Sequence, residues 1–270
     1  MRTGRGDRVE PMTSSHDGVV PLGVAGGDSS QPWHTLAPDY EKARAREDSL
    51  DHLVEWPAQR RMLGDVRGLS VLDLGCGNGG KLAQLVGEGA TGCVGVDIGG
   101  AFVADTPVGL ELIDADLNDL HTLPALAGRK FDRILFLQSF GYAQDPVGIL
   151  KAARTMLADD GFILLTRTQP IRYALERAEE KGSLVGDEYF ATAGFSPASV
   201  WNREVTLTKQ PYTMSSLLNT FAQAGLWIEA VSEPHLSDEQ ARRFPHKHAW
   251  ANKFLVGILV FKLRPLPGGR

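Results

Sequence analysis

Short apolar runs separated by longer polar or amphipathic stretches divide most of this chain into alternating strand and helix candidates. Residues 71–74, VLDL, are a compact run with an acid near its end; GCGNGG breaks it before a helix-compatible KLAQLV. A second run at 92–98, GCVGVDI, again ends in an acid, and 109–116, GLELIDAD, reads as a third strand with Leu110, Leu112 and Ile113 inward. Residues 131–137, FDRILFL, have the continuous apolar character of a strand buried on both faces. A helix over 146–157 follows, marked by Val147, Ile149, Leu150, Ala153 and Leu157, with ADDG ending it and FILLT as the fifth strand. Near the end, 215–224 forms an amphipathic helix stopped by Gly225, LWIEAVSEP a strand, and NKFLVGILVFKL the last one. The order predicts an α/β fold around a mostly parallel sheet.

Four stretches stand outside this alternation. Residues 1–35 are rich in Gly, Ser, Pro, Asp and Arg without apolar periodicity, so a disordered arm is expected, with an interaction arm as the alternative and order beginning near Trp33 and His34. Residues 39–63 read as helical, with Leu50, Leu53 and Val54 on one face and Pro57 in the first turn of a second helix; 36–66 are expected as the N-terminal helical segment of one domain spanning 36–265, either a cap or helices that simply pack on the sheet. Residues 168–212 hold six of the 21 aromatics of the chain, which suggests a lid or acceptor pocket, or else a satellite cluster over the sheet edge. Between the second and third strands, GGAFVADTPVG is too short and too interrupted for a regular helix.

The candidate chemistry gathers at 71–80. Its glycines remove side chains where backbone turns tightly and approaches a ligand, and the helix beyond them presents unpaired N–H groups. Gly75, Gly77 and Gly80 satisfy G-x-G-x-x-G, a pattern that does not by itself separate a pyrophosphate ligand from another nucleoside. Asp73 separates them by charge: a carboxylate two residues before the first glycine repels pyrophosphate and suits an ammonium or sulfonium, favouring S-adenosyl-L-methionine over NAD. Asp97 lies 20 residues beyond Gly77, where the next parallel strand delivers a carboxylate to ribose hydroxyls.

With 270 residues, 43% hydrophobic and 23% charged, the chain has material for a substantial core. A net charge of −5, and six acids without Lys or Arg over 97–128, argue against nucleic-acid binding. Cys76 and Cys93 have no metal or disulfide spacing, no apolar run reaches membrane-spanning length, and the N-terminus lacks a signal-peptide core. A cytoplasmic enzyme is expected.

VLDLGCGNGG followed by GVDI resembles the first two motifs of the class I S-adenosylmethionine-dependent methyltransferases, especially the small-molecule branch that includes the quinone-biosynthesis enzymes. Later segments extend the resemblance over residues 40–263. It implies a Rossmann-like sheet of seven mostly parallel strands, the last antiparallel, with helices on both faces. It also implies a cofactor site made of Tyr40, Asp73, Gly75, Cys76, Gly77, Asp97, Ile98, Asp116, Leu117, Gln138 and Ser139. Tyr40 would lie near the methionine end and Asp116 with Leu117 at the adenine, Asp114 and Asp119 competing with Asp116. Gln138 and Ser139 would lie beside the methyl sulfonium, and Phe140, Tyr142, Tyr189, Phe190, Trp201 and His248 are acceptor-pocket candidates.

The resemblance implies in-line methyl transfer to a small-molecule acceptor, with positioning expected to supply much of the rate. No catalytic base is assigned among His34, His52, His246 and His248, and His246-x-His248 lacks the Cys or acidic partner of a metal site. An NAD-dependent oxidoreductase, and a methyltransferase-like fold with other chemistry or a purely binding role, are the alternatives. The acceptor atom and the oligomeric state are open.

Overall fold

The computed structural model describes residues 30–99, 102–191, 193–208, 212–254 and 257–267. The arm expected over 1–35 lies outside them except for its last residues, which are already helical. Strands β1 (Val71–Leu74), β2 (Cys93–Asp97), β3 (Leu110–Asp114), β4 (Phe131–Leu137), β5 (Leu157–Thr168), β6 (Leu226–Ser232) and β7 (Ile258–Pro265) form one sheet in the order β3-β2-β1-β4-β5-β7-β6. The first five are parallel, and β7 runs antiparallel to both β5 and β6. Strand order reverses direction at β1 and β4, so their carboxyl ends open the crevice where ligands bind in such sheets.

Period-two alternation sorts the strand residues onto two cores. Leu72, Leu74, Ile134, Phe136, Ile163 and Leu165 pack against α4 (Pro146–Thr155) and α7 (Met214–Gln223) through Leu150, Leu217 and Phe221. Val71, Leu135, Phe162 and Leu164 meet α2 (Trp56–Leu63) and α3 (Gly80–Gly87) through Ala58, Leu63, Leu82 and Leu85 on the opposite face. Asp73 belongs to this second face, which places a carboxylate in an apolar layer.

Several boundaries differ from the sequence reading. Helix α1 spans Ser30–Arg44 and runs through Pro38, whose exposed ring leaves Leu36 free to pack on Val205 and Leu207. ADDG does not end a helix but opens β5, with a register irregularity where Phe131 and Arg133 pair Leu157 and Phe162. Residues expected at the start of the last strand instead finish α9 (Pro245–Lys253), a helix begun by Pro245 and preceded by α8 (Asp238–Arg243). Leu112 and Ile113 are only half-buried because β3 is an edge strand. The β2–β3 connection holds no helix among its described residues, as its glycines and Pro107 anticipate.

Candidate functional site at the carboxyl ends of β1, β2 and β4

After Leu74 the backbone turns through Gly75, Gly77 and Gly79 at φ of 84°, 59° and 82°. These are left-handed values that favour glycine. Gly75 has a second reason: a Cβ there would lie 2.2 Å from the Cβ of Ser139, which donates its hydroxyl to the Leu74 carbonyl. The turn and the end of β4 therefore touch backbone to side chain.

Asp97 anchors the turn from the next strand. Its Oδ2 accepts the Gly77 N–H at 2.8 Å and its Oδ1 the Gly99 N–H at 2.8 Å. A carboxylate offers about four lone-pair directions, so acceptor capacity remains for ligand hydroxyls. Burial pushes the Asp97 carboxyl up, the two N–H groups opposing it and the nearby Asp114 adding to it. Ile98 is half-buried beside it.

Asp73 is 1% exposed, and its Oδ1 has no hydrogen-bond partner among the described residues. Burial pushes its carboxyl up to about 7, Lys81 and Arg44 opposing and the Asp97 charge adding. A buried, unpartnered acid beneath a glycine turn is poised to receive a cation. Cys76, next to it, is buried and its thiol is pushed up by that burial, so it is inert packing.

Beyond β3, Asp116 accepts the Asn118 backbone N–H at 2.9 Å and its side-chain amide at 2.8 Å. Asn118 in turn donates to the Tyr142 carbonyl at 3.2 Å and accepts the Gln144 N–H at 2.8 Å, tying the acidic loop to the segment after β4. Leu117 is half-buried; Asp114 and Asp119 are exposed. Gln138 opens that segment at φ 74°, the one non-glycine described residue with positive φ, and donates to Glu55 Oε2 at 3.3 Å.

An ionic lattice that the sequence reading missed surrounds the turn. Asn78 donates to Glu41 Oε2 at 3.1 Å, Arg44 reaches Glu41 at 2.9 Å and Asp51 at 3.3 Å, and Lys81 reaches Asp51 at 2.7 Å and Gln59 Oε1 at 3.1 Å. Burial raises the Asp51 carboxyl, but Lys81 and Arg44 outweigh it and hold the group below its ordinary value. The only hints in the sequence are Glu41 and Arg44 one helical turn apart and a lysine directly after the glycines.

Aromatic rings from α1, the segment after β4 and residues 193–208 meet nearby. Tyr40 meets Trp201 edge-on at 4.7 Å and Trp33 at 5.4 Å, and Trp33 meets Tyr142 at 5.9 Å. Tyr173 reaches Phe195 at 5.8 Å and Tyr212 at 6.4 Å. Other expected pocket residues are elsewhere engaged. Phe140 is a core residue packed edge-on to Phe136. The Tyr189 hydroxyl accepts the Met214 N–H at 2.9 Å at the start of α7. Phe190 is 72% exposed, and His248 sits exposed on α9 with Nε2 2.9 Å from the Asn252 amide. A pocket role for Phe140, Phe190 and His248 therefore does not fit their placement. No group of three metal-ligating side chains occurs among the described residues, and no described helix is long and apolar enough to cross a membrane.

A family model described as a methyltransferase domain matches residues 43–253. The chain is 25% identical over 232 residues to an uncharacterized protein of Haemophilus influenzae, covering 80% of this chain and 86% of that one. It is 27% identical over 143 residues to the tRNA U34 carboxymethyltransferase of Edwardsiella ictaluri, covering 50% of this chain but only 42% of that protein. Among solved structures, an S-adenosylmethionine dependent methyltransferase from Mesorhizobium loti matches with a TM-score of 0.60 at 23% identity, over 78% of this chain and 97% of that one. That likeness establishes the fold.

Proposed function

This chain belongs to the methyltransferase-domain family, and from that premise we propose that it transfers the methyl group of S-adenosylmethionine to a small-molecule acceptor. The observation that carries the reading is the orphaned Asp73 carboxylate under a glycine turn held open by Asp97. When bound, S-adenosylmethionine supplies an electrophilic methyl group on a sulfonium. Asp73 would hold its positive charge, Asp97 its ribose hydroxyls, and the Asp116–Leu117 loop its adenine. Gln138 and Ser139 end β4 beside the reacting centre, while α1 and residues 193–208 form a cap that excludes water. The enclosed rings and the prior pairing of Arg44 and Lys81 with carboxylates support a small, partly apolar acceptor rather than a phosphate backbone. The family match does not select the quinone-biosynthesis branch.

A tRNA acceptor is the second reading, favoured by the likeness to the Edwardsiella enzyme over half of this chain. Calorimetric titration with S-adenosylmethionine, S-adenosylhomocysteine and NAD tests the first step on wild type and Asp97→Ala. Both adenosyl ligands should bind, NAD should not, and the variant should lose about tenfold or more in affinity. Binding of NAD alone would overturn the cofactor assignment. Labelled methyl appearing in bulk tRNA, and not in small-molecule fractions, would replace the first reading of the acceptor by the second.

A further inference from the structure

Arg167 lies at the end of β5, where Leu137 of β4 pairs with Thr166, so Gln138 and Arg167 emerge side by side. Its guanidinium carbon stands 4.1 Å from the centroid of the Tyr212 ring. On the other side it fills the space that a side chain at position 141 would occupy: a Cβ on Gly141 would come within 2.1 Å of Nη1. The loop after β4 therefore closes directly onto this cation.

Most other buried or half-buried arginines in the molecule have an acid. Arg44 has Glu41 and Asp51, Arg60 has Glu88, Arg172 has Glu176, and Arg177 has Glu188. Arg167 has no carboxylate within salt-bridge distance among the described residues, and its buried Nε lacks a hydrogen-bond partner. Arg133 and Arg177 share the orphaned Nε, but Arg177 has Glu188 for its charge and Arg133 lies near the start of β4, away from the crevice. Around Arg167 stand the phenols of Tyr142 and Tyr212, with Tyr173 beside both. Burial keeps the first two neutral, pushing their hydroxyls up, so neither supplies the missing negative charge. The Tyr212 hydroxyl is already given to the Thr168 carbonyl while its oxygen takes a hydrogen bond from Arg167, and Tyr173 donates to Thr168 Oγ1 at 3.1 Å.

A guanidinium held in an aromatic layer without a counter-ion is costly unless a ligand provides one, and its planar fork matches carboxylate and phosphate oxygens. We propose that Arg167 anchors an anionic group, a carboxylate or a phosphate, on the methyl acceptor. The inference rests on the methyltransferase reading for the acceptor's position but not for the presence of the anion site. Tyr142 and Tyr173 would border the acceptor body while Arg167 sets its orientation, making Arg167 a determinant of which small molecules enter.

The test is titration of the full chain, with and without saturating S-adenosylhomocysteine, by benzoate, phenyl phosphate and the neutral benzyl alcohol. At least one anion should bind in preference to the alcohol, and which one binds identifies the source of the charge. Arg167→Gln should weaken that anion about ten- to hundredfold, while Arg167→Lys restores part of the loss and both leave S-adenosylhomocysteine affinity unchanged. Equal affinity for anion and alcohol, unchanged anion affinity in Arg167→Gln, or no anion binding to wild type at millimolar concentration would overturn the proposal. If Arg167→Gln does not fold, Arg167→Lys and the weakening of wild-type anion binding by added salt carry the same decision. Failure of S-adenosylhomocysteine to bind wild type would count against the cofactor reading alone, since the titrations without it still decide Arg167.

Discussion

Asp73 concentrates the residue-scale argument, because its carboxyl is raised from 3.8 to about 7 by burial. A raised carboxyl favours the folded state in its protonated form. That contribution is complete below about pH 4, declines as pH rises to about 7, and stays lost above it, on the order of 4 kcal/mol in all. Asp73→Asn should therefore flatten the fall in ligand-free stability between pH 4 and 7, read from urea unfolding at several pH values. The same substitution should weaken S-adenosylmethionine, and it should abolish the proton that wild type releases on binding the cation at pH 6. Calorimetry in buffers of different ionisation enthalpy measures that proton; an equal release from the Asn variant would assign it to another group. Asp73, Asp97 and the glycines were legible because their chemistry depends on short spacings along the chain. Glu41, Arg44, Lys81 and Arg167 were not, since an isolated charge in a sequence looks like solvated surface until tertiary pairing, or the lack of it, is seen.

At the scale of elements, the strand cores and the strand–turn–helix opening followed from apolar runs and glycine punctuation. Boundaries failed where something other than periodicity decides. Helix α1 tolerates Pro38 because Trp33, Leu36 and Tyr40 pack on partners far along the chain, which local propensity does not report. Helix α9 carries little amphipathic pattern and is held by Pro245 at its start and by Ala251, which packs with Leu53 and Val54. Two glycines at positive φ, one ending α2 and one in the turn, allow a graded test. Gly64 has φ 75° with nothing near its would-be Cβ, whereas Gly75 has φ 84° and a Cβ there would strike Ser139. Gly64→Ala should cost about 1–3 kcal/mol, the backbone strain alone, because φ 75° with ψ −157° is a conformation essentially only glycine adopts. Gly75→Ala adds overpacking of about 1–3 kcal/mol and displaces Ser139 from the turn. Urea unfolding should rank the two, and S-adenosylhomocysteine titration should show affinity lost only in Gly75→Ala. Equal stability losses would mean that the β4 end yields easily to the turn.

Over the whole molecule, the notable pairing joins segments more than 150 residues apart. Asn202 donates to Asp39 at 3.0 Å, Trp201 packs on Tyr40, and Val205 and Leu207 enclose Leu36. Aromatic enrichment in 168–212 suggested a lid, a pocket or a satellite cluster, but nothing local marked α1 as the partner of Trp201, Val205 and Leu207, because a two-sided contact has no signature in either side alone. The arrangement places α1 between the insertion and the glycine turn, with Glu41 on Asn78 below and Tyr40 on Trp201 above. Opening the cap from either side should therefore loosen the other. An edge-to-face pair contributes about 0.5–1.5 kcal/mol beyond its buried area. Trp201→Ala should accordingly raise amide exchange about two- to tenfold, both in 193–208 and in 33–44, while β1, β4 and β5 exchange as before. Saturating S-adenosylhomocysteine should slow exchange in both segments together in wild type, and Trp201→Ala should uncouple them. Exchange that changes in 193–208 alone would show that α1 is held by the glycine turn and the sheet, independently of residues 193–208.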